Sequence, residues 1–310
     1  MKLSKHGMLA LVAILILTMT MGLVACKSSK KKTTGTTTPT AAARTTPTKQ
    51  AAAGGVPEVS ITAADYRYSA PASIAGGIVR INFKNLSPGE NHQGQLVRLN
   101  AGTTFDQFKA ALQTAKSDAD VAALGTFAGG PGTGPNGTNS VVLDLQAGQY
   151  VLLCLIPSPT DGVPHAAKGM IQALEVTTAA AAQPQKPAAD VSVGLTEFKI
   201  TAPATVPAGE TTFEATNNGT QAHEMVVLKL GQGLTAQAAA NIILTPPATP
   251  PSGPPPFTFA GQVAGIAAGS SAETTVTLEA GTYGLLCFFT DPASGSPHAA
   301  LGMLMSFTVQ

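Results

Sequence analysis

The sequence predicts an all-β chain of two tandem β-sandwiches, each with a short helical insert. Three observations predict it. From residue 58 onward the chain aligns with itself at a shift of 131 to 133 residues. Short segments alternate apolar and polar side chains with period two, which places one face of each against a core. Turns containing Pro-Ala-Gly or Gly-Gly separate these segments at the spacing of sandwich strands.

The repeat sets the domain organisation. Ala70-Pro71-Ala72 matches Ala202-Pro203-Ala204, Gly77 matches Gly209, and Asn85 matches Asn217. Phe127-Ala128-Gly129 matches Phe259-Ala260-Gly261, and Ala147-Gly148-Gln149-Tyr150 matches Ala280-Gly281-Thr282-Tyr283. Two units of about 120 residues are of ordinary domain size. They are expected at 58–177 and 190–310, joined by an Ala-, Gln- and Pro-rich linker at 178–189.

In chain order, Val79-Arg80-Ile81-Asn82-Phe83 reads as a half-buried strand. Thr103 or Thr104 caps a helix over Phe105 to Leu112, with Phe105, Phe108 and Leu112 on one face. Val141 to Leu145 and Tyr150 to Leu155 are expected to form a hairpin across the Ala147-Gly148 turn. Val191-Ser192-Val193 opens the second unit, and the Ala-rich Thr235 to Ile243 is its helical insert. The Gly/Pro stretches 129–137 and 246–256 read as surface loops.

Residues 1–26 read as a lipoprotein signal peptide. Lys2 and Lys5 precede an uncharged apolar run from Met8 to Val24, and Leu23-Val24-Ala25-Cys26 resembles the lipobox of bacterial lipoproteins. That resemblance implies lipid attachment at Cys26 and a protein anchored to the cell membrane, facing the periplasm or the cell surface. An uncleaved N-terminal anchor is the alternative. Residues 27–57 are rich in Thr, Ala, Lys and Pro and cannot bury enough surface to offset their ordering entropy. Such a disordered tether reaches about 100 Å when extended. It carries six Lys or Arg and no acid, whereas residues 58–310 carry ten Lys or Arg and 17 Asp or Glu. An acidic folded part argues against nucleic acid and favours cations or a basic redox partner.

Within the repeat lies a ligand set that recurs in one order. His92, Cys154, His165 and Met170 form the first copy; His223, Cys287, His298 and Met303 form the second. Each ends in Cys-x10-His-x4-Met, and apart from His6 every histidine belongs to one of the two sets. Two imidazoles, a thiolate and a thioether are the donors of a blue-copper electron-transfer site. The dull alternatives are inert buried thiols, structural histidines and core methionines, or a disulfide between Cys154 and Cys287, which requires α-carbons within about 7 Å.

The chain here resembles the cupredoxins, the plastocyanin and azurin family. Asn217 to Leu228, and more loosely Asn85 to Leu96, are similar to the family's segment around its first ligand histidine. Gly148-Gln149-Tyr150, Cys154, His165, Gly169-Met170 and Val176 are similar to its late segment, as are Gly281-Thr282-Tyr283, Cys287, His298, Gly302-Met303 and Val309. The resemblance covers nearly all of 58–310. It implies Greek-key sandwiches with up to two type 1-like copper ions, one for each His-Cys-His-Met set. It departs in one respect: family members put two to four residues between Cys and the second His, and both copies here have ten. The Pro- and Gly-rich loops are expected to fold back as stiff excursions. Asn91 is placed to hydrogen-bond across the first site, and Ala222 replaces it in the second.

The expectation is a membrane-tethered copper protein working in electron transfer, with an unidentified redox or copper partner. Metal-free binding or structural work on the same fold is the rival, as is copper buffering or delivery. A multicopper enzyme needs further histidines that the sequence lacks, and no His-Glu-x-x-His hydrolase spacing is present.

Overall fold

A computed structural model describes residues 55–115, 117–246, 253 and 256–310. The expected signal peptide with Cys26, nearly all of the tether and most of 246–256 lie outside them. Among the described residues no helix is long and apolar enough to cross a membrane.

The first half is a two-layer sandwich. Gly77–Asn85 alternates buried and partly buried positions along its length, as its sequence predicts. It pairs antiparallel with Thr138–Leu145 and parallel with Glu58–Ala64. The facing sheet runs Ser73–Ala75, Ile171–Thr177, Gly148–Leu153, Gln95–Leu99, Gly125–Phe127. Ile61, Val79, Ile81, Phe83 and Leu143 of the first layer meet Leu96, Tyr150, Leu152 and Leu174 of the second. Burying each large apolar side chain contributes roughly 1.5–3 kcal/mol. The second half repeats this plan. Val191–Thr196, Gly209–Asn217 and Ser271–Leu278 face the sheet Thr205–Val206, Leu304–Val309, Gly281–Leu286, His223–Leu230, Phe257–Ile266.

The Gly-x-Tyr motif has a structural purpose in both copies. The Tyr150 hydroxyl donates to the Gln146 carbonyl at 2.8 Å, and the Tyr283 hydroxyl accepts from the Glu279 amide at 3.1 Å. Each ring fills the core while its oxygen clamps the turn into the cysteine strand, and in the first half that turn crosses from Thr138–Leu145 to the facing sheet instead of closing the expected hairpin.

The halves are not separate beads. Val141 and Val142 pair with Thr274 and Glu273, which joins the first layers into one eight-stranded sheet. From the linker, Gln183 accepts from the Ile78 amide at 2.9 Å, and Lys186 lies 3.0 Å from the buried Glu273 carboxylate. The stretch 129–137 corrects the surface-loop expectation, because residues 129–134 are buried between the halves. Gly129 donates to the Gly265 carbonyl at 2.8 Å and Ala264 to the Gly130 carbonyl at 2.7 Å. A Cβ on Gly130 would sit 2.0 Å from the Gly94 oxygen. Here glycine serves close backbone approach rather than a solvent turn.

The helical inserts follow their caps. Thr104 caps Phe105–Leu112 and accepts from the Gln107 amide, while the Gln107 side chain returns to the Thr104 amide. Thr235 caps Ala236–Leu244, whose buried Ala236, Ala239 and Ala240 let it lie close to the sheet. A second short helix, Asp118–Ala122, is not among the expected elements, although Ser117-x-x-Asp120 forms a capping box at its start.

Candidate metal centres

The strand registers bring the ligand residues to one end of each sandwich. In the second half Val226 pairs with Leu286, so His223 and Cys287 lie at the same strand ends. In the first, Leu153 pairs with Gln95, and Cys154 follows directly. Asn85 fixes the approach to His92. Its Nδ2 donates to the carbonyls of Glu90 and Gly134, and its Oδ1 accepts from the Ser87 amide. Asn217 does the same through Gln221, Ile266 and Gly219. Asn91 is exposed and makes no cross-site bond of the kind expected; Asn85 is the asparagine that shapes the site.

The ten-residue loops do not displace the second histidine. Ala166 donates to the Cys154 carbonyl at 2.8 Å, His165 to Ile156 at 3.0 Å and Ser158 to Val163 at 3.0 Å. The excursion therefore leaves and returns as a small hairpin, with Pro157 bridged to Pro164. Ala299 to Cys287, His298 to Phe289 and Asp291 to Ser296 repeat the pattern. One turn of 3-10 helix then carries each histidine, and Gly169 and Gly302 end it at φ 107° and 105°. That left-handed position explains glycine before each methionine. Met170 donates to the His165 carbonyl at 2.9 Å and accepts from the Cys154 amide at 3.2 Å; Met303, His298 and Cys287 do likewise. Both methionines are fully buried.

The donor atoms converge. His92 Nδ1 lies 3.0 Å from His165 Nδ1, which lies 3.4 Å from Cys154 Sγ. In the second half the corresponding separations are 3.2 Å and 3.5 Å, with Cys287 Sγ 4.0 Å from His223 Nδ1. Within each trio all ligand atoms lie within 4.8 Å of one another. Cys154 and Cys287 are free thiols, so the disulfide between halves is not formed. The Gln93 amide donates to Cys154 Sγ and the Glu224 amide to Cys287 Sγ, each at 3.4 Å.

Outside each trio the far imidazole nitrogens face polar groups. His165 Nε2 lies 2.9 Å from Glu90 Oε2, and His223 Nε2 lies 3.7 Å from Glu197 Oε1. His298 Nε2 lies 2.9 Å from Gln221 Oε1, whose amide orientation is fixed because its nitrogen donates to Asp291. His92 Nε2 meets Ser87 Oγ at 2.8 Å. The Gln221 oxygen accepts from His298 Nε2 and the Glu90 carboxylate lies beside His165 Nε2; both only accept, so they favour the proton on Nε2 and an inward Nδ1 lone pair in these two rings. The other Nδ1 of each pair, 3.0 Å away in the first half and 3.2 Å in the second, meets that lone pair with a proton or across a bound cation.

Burial sets the charge of the trio. It pushes the Cys154 thiol up to about 12 and the Cys287 thiol well above its ordinary value. Burial, reinforced by the neighbouring imidazole, lowers His92 and His298 to about 4. His165 and His223 are also lowered by burial. Without a metal each site is a neutral thiol with neutral imidazoles. Two nitrogens and one sulfur, buried and preformed, fit a copper ion, whose thiolate bond would compensate the loss of the thiol proton.

Several residues here were missed by sequence reasoning. Tyr66 covers His165 with ring centroids 4.9 Å apart and donates to Glu90 at 2.8 Å. Phe198 covers His298 at 5.4 Å. Tyr66 and Phe198 both sit at positive φ, 61° and 58°. The repeat held the signal: Asp65-Tyr66 and Glu197-Phe198 are acid-aromatic pairs at equivalent positions.

No family model matches this sequence, and no curated protein is similar to it in sequence. Among solved structures, an auracyanin from the photosynthetic bacterium Roseiflexus castenholzii aligns at 28% identity and a TM-score of 0.27, covering 38% of this chain and 94% of its own. Auracyanin A, a blue copper protein of Chloroflexus aurantiacus, aligns at 18% identity and a TM-score of 0.26, covering 40% and 100%. A multicopper oxidase aligns at 11% identity and a TM-score of 0.24, covering 83% of this chain and 89% of its own. By its own strand order and paired trios, this chain is a cupredoxin-like fold with two candidate His-Cys-His sites.

Proposed function

We propose that each half of the chain holds one copper ion and that the protein carries electrons outside the cytoplasm, tethered to the membrane through lipid on Cys26. The observation that carries the copper reading is the convergence of two inward Nδ1 atoms and a thiol sulfur in each half. His92, Cys154 and His165 would hold one ion and His223, Cys287 and His298 the other, with the thioethers of Met170 and Met303 as further weak donors. Copper supplies the one-electron couple when bound. The chain supplies rigidity: the ligands sit on sheet ends and hydrogen-bonded turns, so little rearranges when the charge changes. The amides of Gln93 and Glu224 donate to the sulfurs and stabilise thiolate charge. Glu90 and Gln221 keep the imidazoles oriented.

Electron carriage is favoured over oxidase chemistry because the two trios use every histidine beyond His6. None remains for an additional copper cluster. Tethering rests on the lipobox-like Leu23-Val24-Ala25-Cys26. The test is titration of the metal-free protein with Cu(II), followed by absorption. An intense thiolate-to-copper band growing to two equivalents supports the reading. Copper that binds without colour points to buffering or delivery, and no binding points to a metal-free module.

A further inference from the structure

Between the halves runs a buried polar seam that neither sandwich needs for its own core. The strand Phe257–Ile266 lies against the Gly-rich segment at 129–134, with Val263 bridged to Pro131. Gln262 sits in this seam, 2% exposed. Its Nε2 donates to Gln93 Oε1 at 3.1 Å and to Glu224 Oε2 at 2.6 Å. Those two hydrogens are all that an amide nitrogen offers. Gln93 and Glu224 are equivalent residues of the repeat, each directly following the first ligand histidine of its half. Each also gives its own backbone amide to the thiol of its half, at 3.4 Å. The other Glu224 oxygen accepts from the amide of Phe288, the residue after Cys287, at 3.0 Å.

One unbroken chain of covalent and hydrogen bonds therefore links the two sulfurs. It runs from Cys154 Sγ through the Gln93 amide and side chain, across the Gln262 amide, and through the Glu224 side chain and amide to Cys287 Sγ. All five residues are buried. Burying such groups costs free energy that well-packed apolar residues would not. The seam also makes room for the bridge: a Cβ on Gly132 would fall 1.9 Å from Gln262 Oε1. Electron tunnelling couples through covalent and hydrogen bonds far better than across a van der Waals gap.

We propose that Gln262 bridges an intramolecular electron route between the two metal centres, so that the halves exchange an electron rather than act as independent carriers. The inference rests on the copper reading given above. The electron lost at the reduced centre is gained at the oxidised one. No bond is made or broken, and the bridging N–H groups keep their protons. Gln262 is a positioning residue: it touches neither trio and acts through Gln93 and Glu224.

The experiment uses the copper-loaded full chain. Cys154→Ser and Cys287→Ser first assign a thiolate band to each half. Substoichiometric electrons are then injected by pulse radiolysis and both bands are followed. The expected result is a redistribution phase between the bands, at a rate independent of protein concentration and absent from either single-site variant. Gln262→Leu should slow that phase severalfold with both bands and the copper content unchanged. Gly132→Ala leaves Gln262 in the sequence but pushes its amide aside, and should slow the phase in the same direction. A wild-type protein with both bands and no such phase overturns the proposal. So does an unchanged rate in both variants, or slowing that comes only with shifted bands, which assigns Gln262 to structure alone. Absence of thiolate bands in the wild type fails the copper reading itself and the proposal with it.

Discussion

At the scale of single residues, the ligand types and their order were legible because a recurring Cys-x10-His-x4-Met needs no structure to be noticed. What surrounds them was not. Glu90 reaches His165 across the fold from 75 positions away, and nothing in its local sequence marks it. Its function as an orienting acceptor gives a prediction. Glu90→Ala should weaken copper binding in the first half about 10–100-fold, the usual cost of losing such a partner, and leave the second half unchanged. Competition against a chelator of known affinity reads this directly. Cys154→Ser and Cys287→Ser should each lower the copper content from two ions to one and remove one thiolate band. Unchanged copper content in both would show that the sulfurs are not ligands.

At the scale of elements, the strands with clean period-two patterns and the Thr-capped helices were legible, since cap and periodicity are local. The short helix Asp118–Ala122 has a local cap too, Asp120 accepting from the Ser117 amide at 3.0 Å, and a further anchor in the other half. Asp118 Oδ2 accepts from the Thr290 amide at 2.8 Å and its hydroxyl at 2.7 Å, tying the first insert to the loop between Cys287 and His298. The Phe289 ring of that loop packs on Phe127 at 4.9 Å. Asp118→Ala should cost roughly 1.5–3 kcal/mol, the range for hydrogen bonds to a charged group, and perturb the second band but not the first. Thermal unfolding and the absorption spectrum check the two parts. The same loop is pinned by Asp291. Side-chain hydrogen bonds from Ser294 and Gln221 hold its carboxyl down to about 2, against an ordinary value of 3.8. A depressed carboxyl stabilises the fold above the unfolded value and loses that contribution as pH falls through the folded one. Asp291→Asn should therefore be less stable than the native chain at neutral pH. The gap should close between about pH 4 and pH 2. A gap that persists unchanged at pH 2 would contradict the assignment.

At the scale of the whole molecule, the duplication was legible and the seam was not. Residues 129–134 read as loop because glycine marks both turns and close backbone packing, and only the fold decides between them. The shared eight-stranded sheet and the buried Gln93–Gln262–Glu224 chain make the halves one structural unit. Calorimetry of the metal-free protein should show one cooperative transition, and two well-separated transitions would contradict this. The central claim is that each trio binds copper through two imidazole nitrogens and a thiolate. X-ray absorption at the copper edge of the fully loaded protein tests it most directly. The account predicts about two nitrogens near 2.0 Å and one sulfur near 2.3 Å for each copper, bond lengths typical of such ligands on a first-row ion. A shell of nitrogen and oxygen alone, with no short copper–sulfur distance, would contradict it.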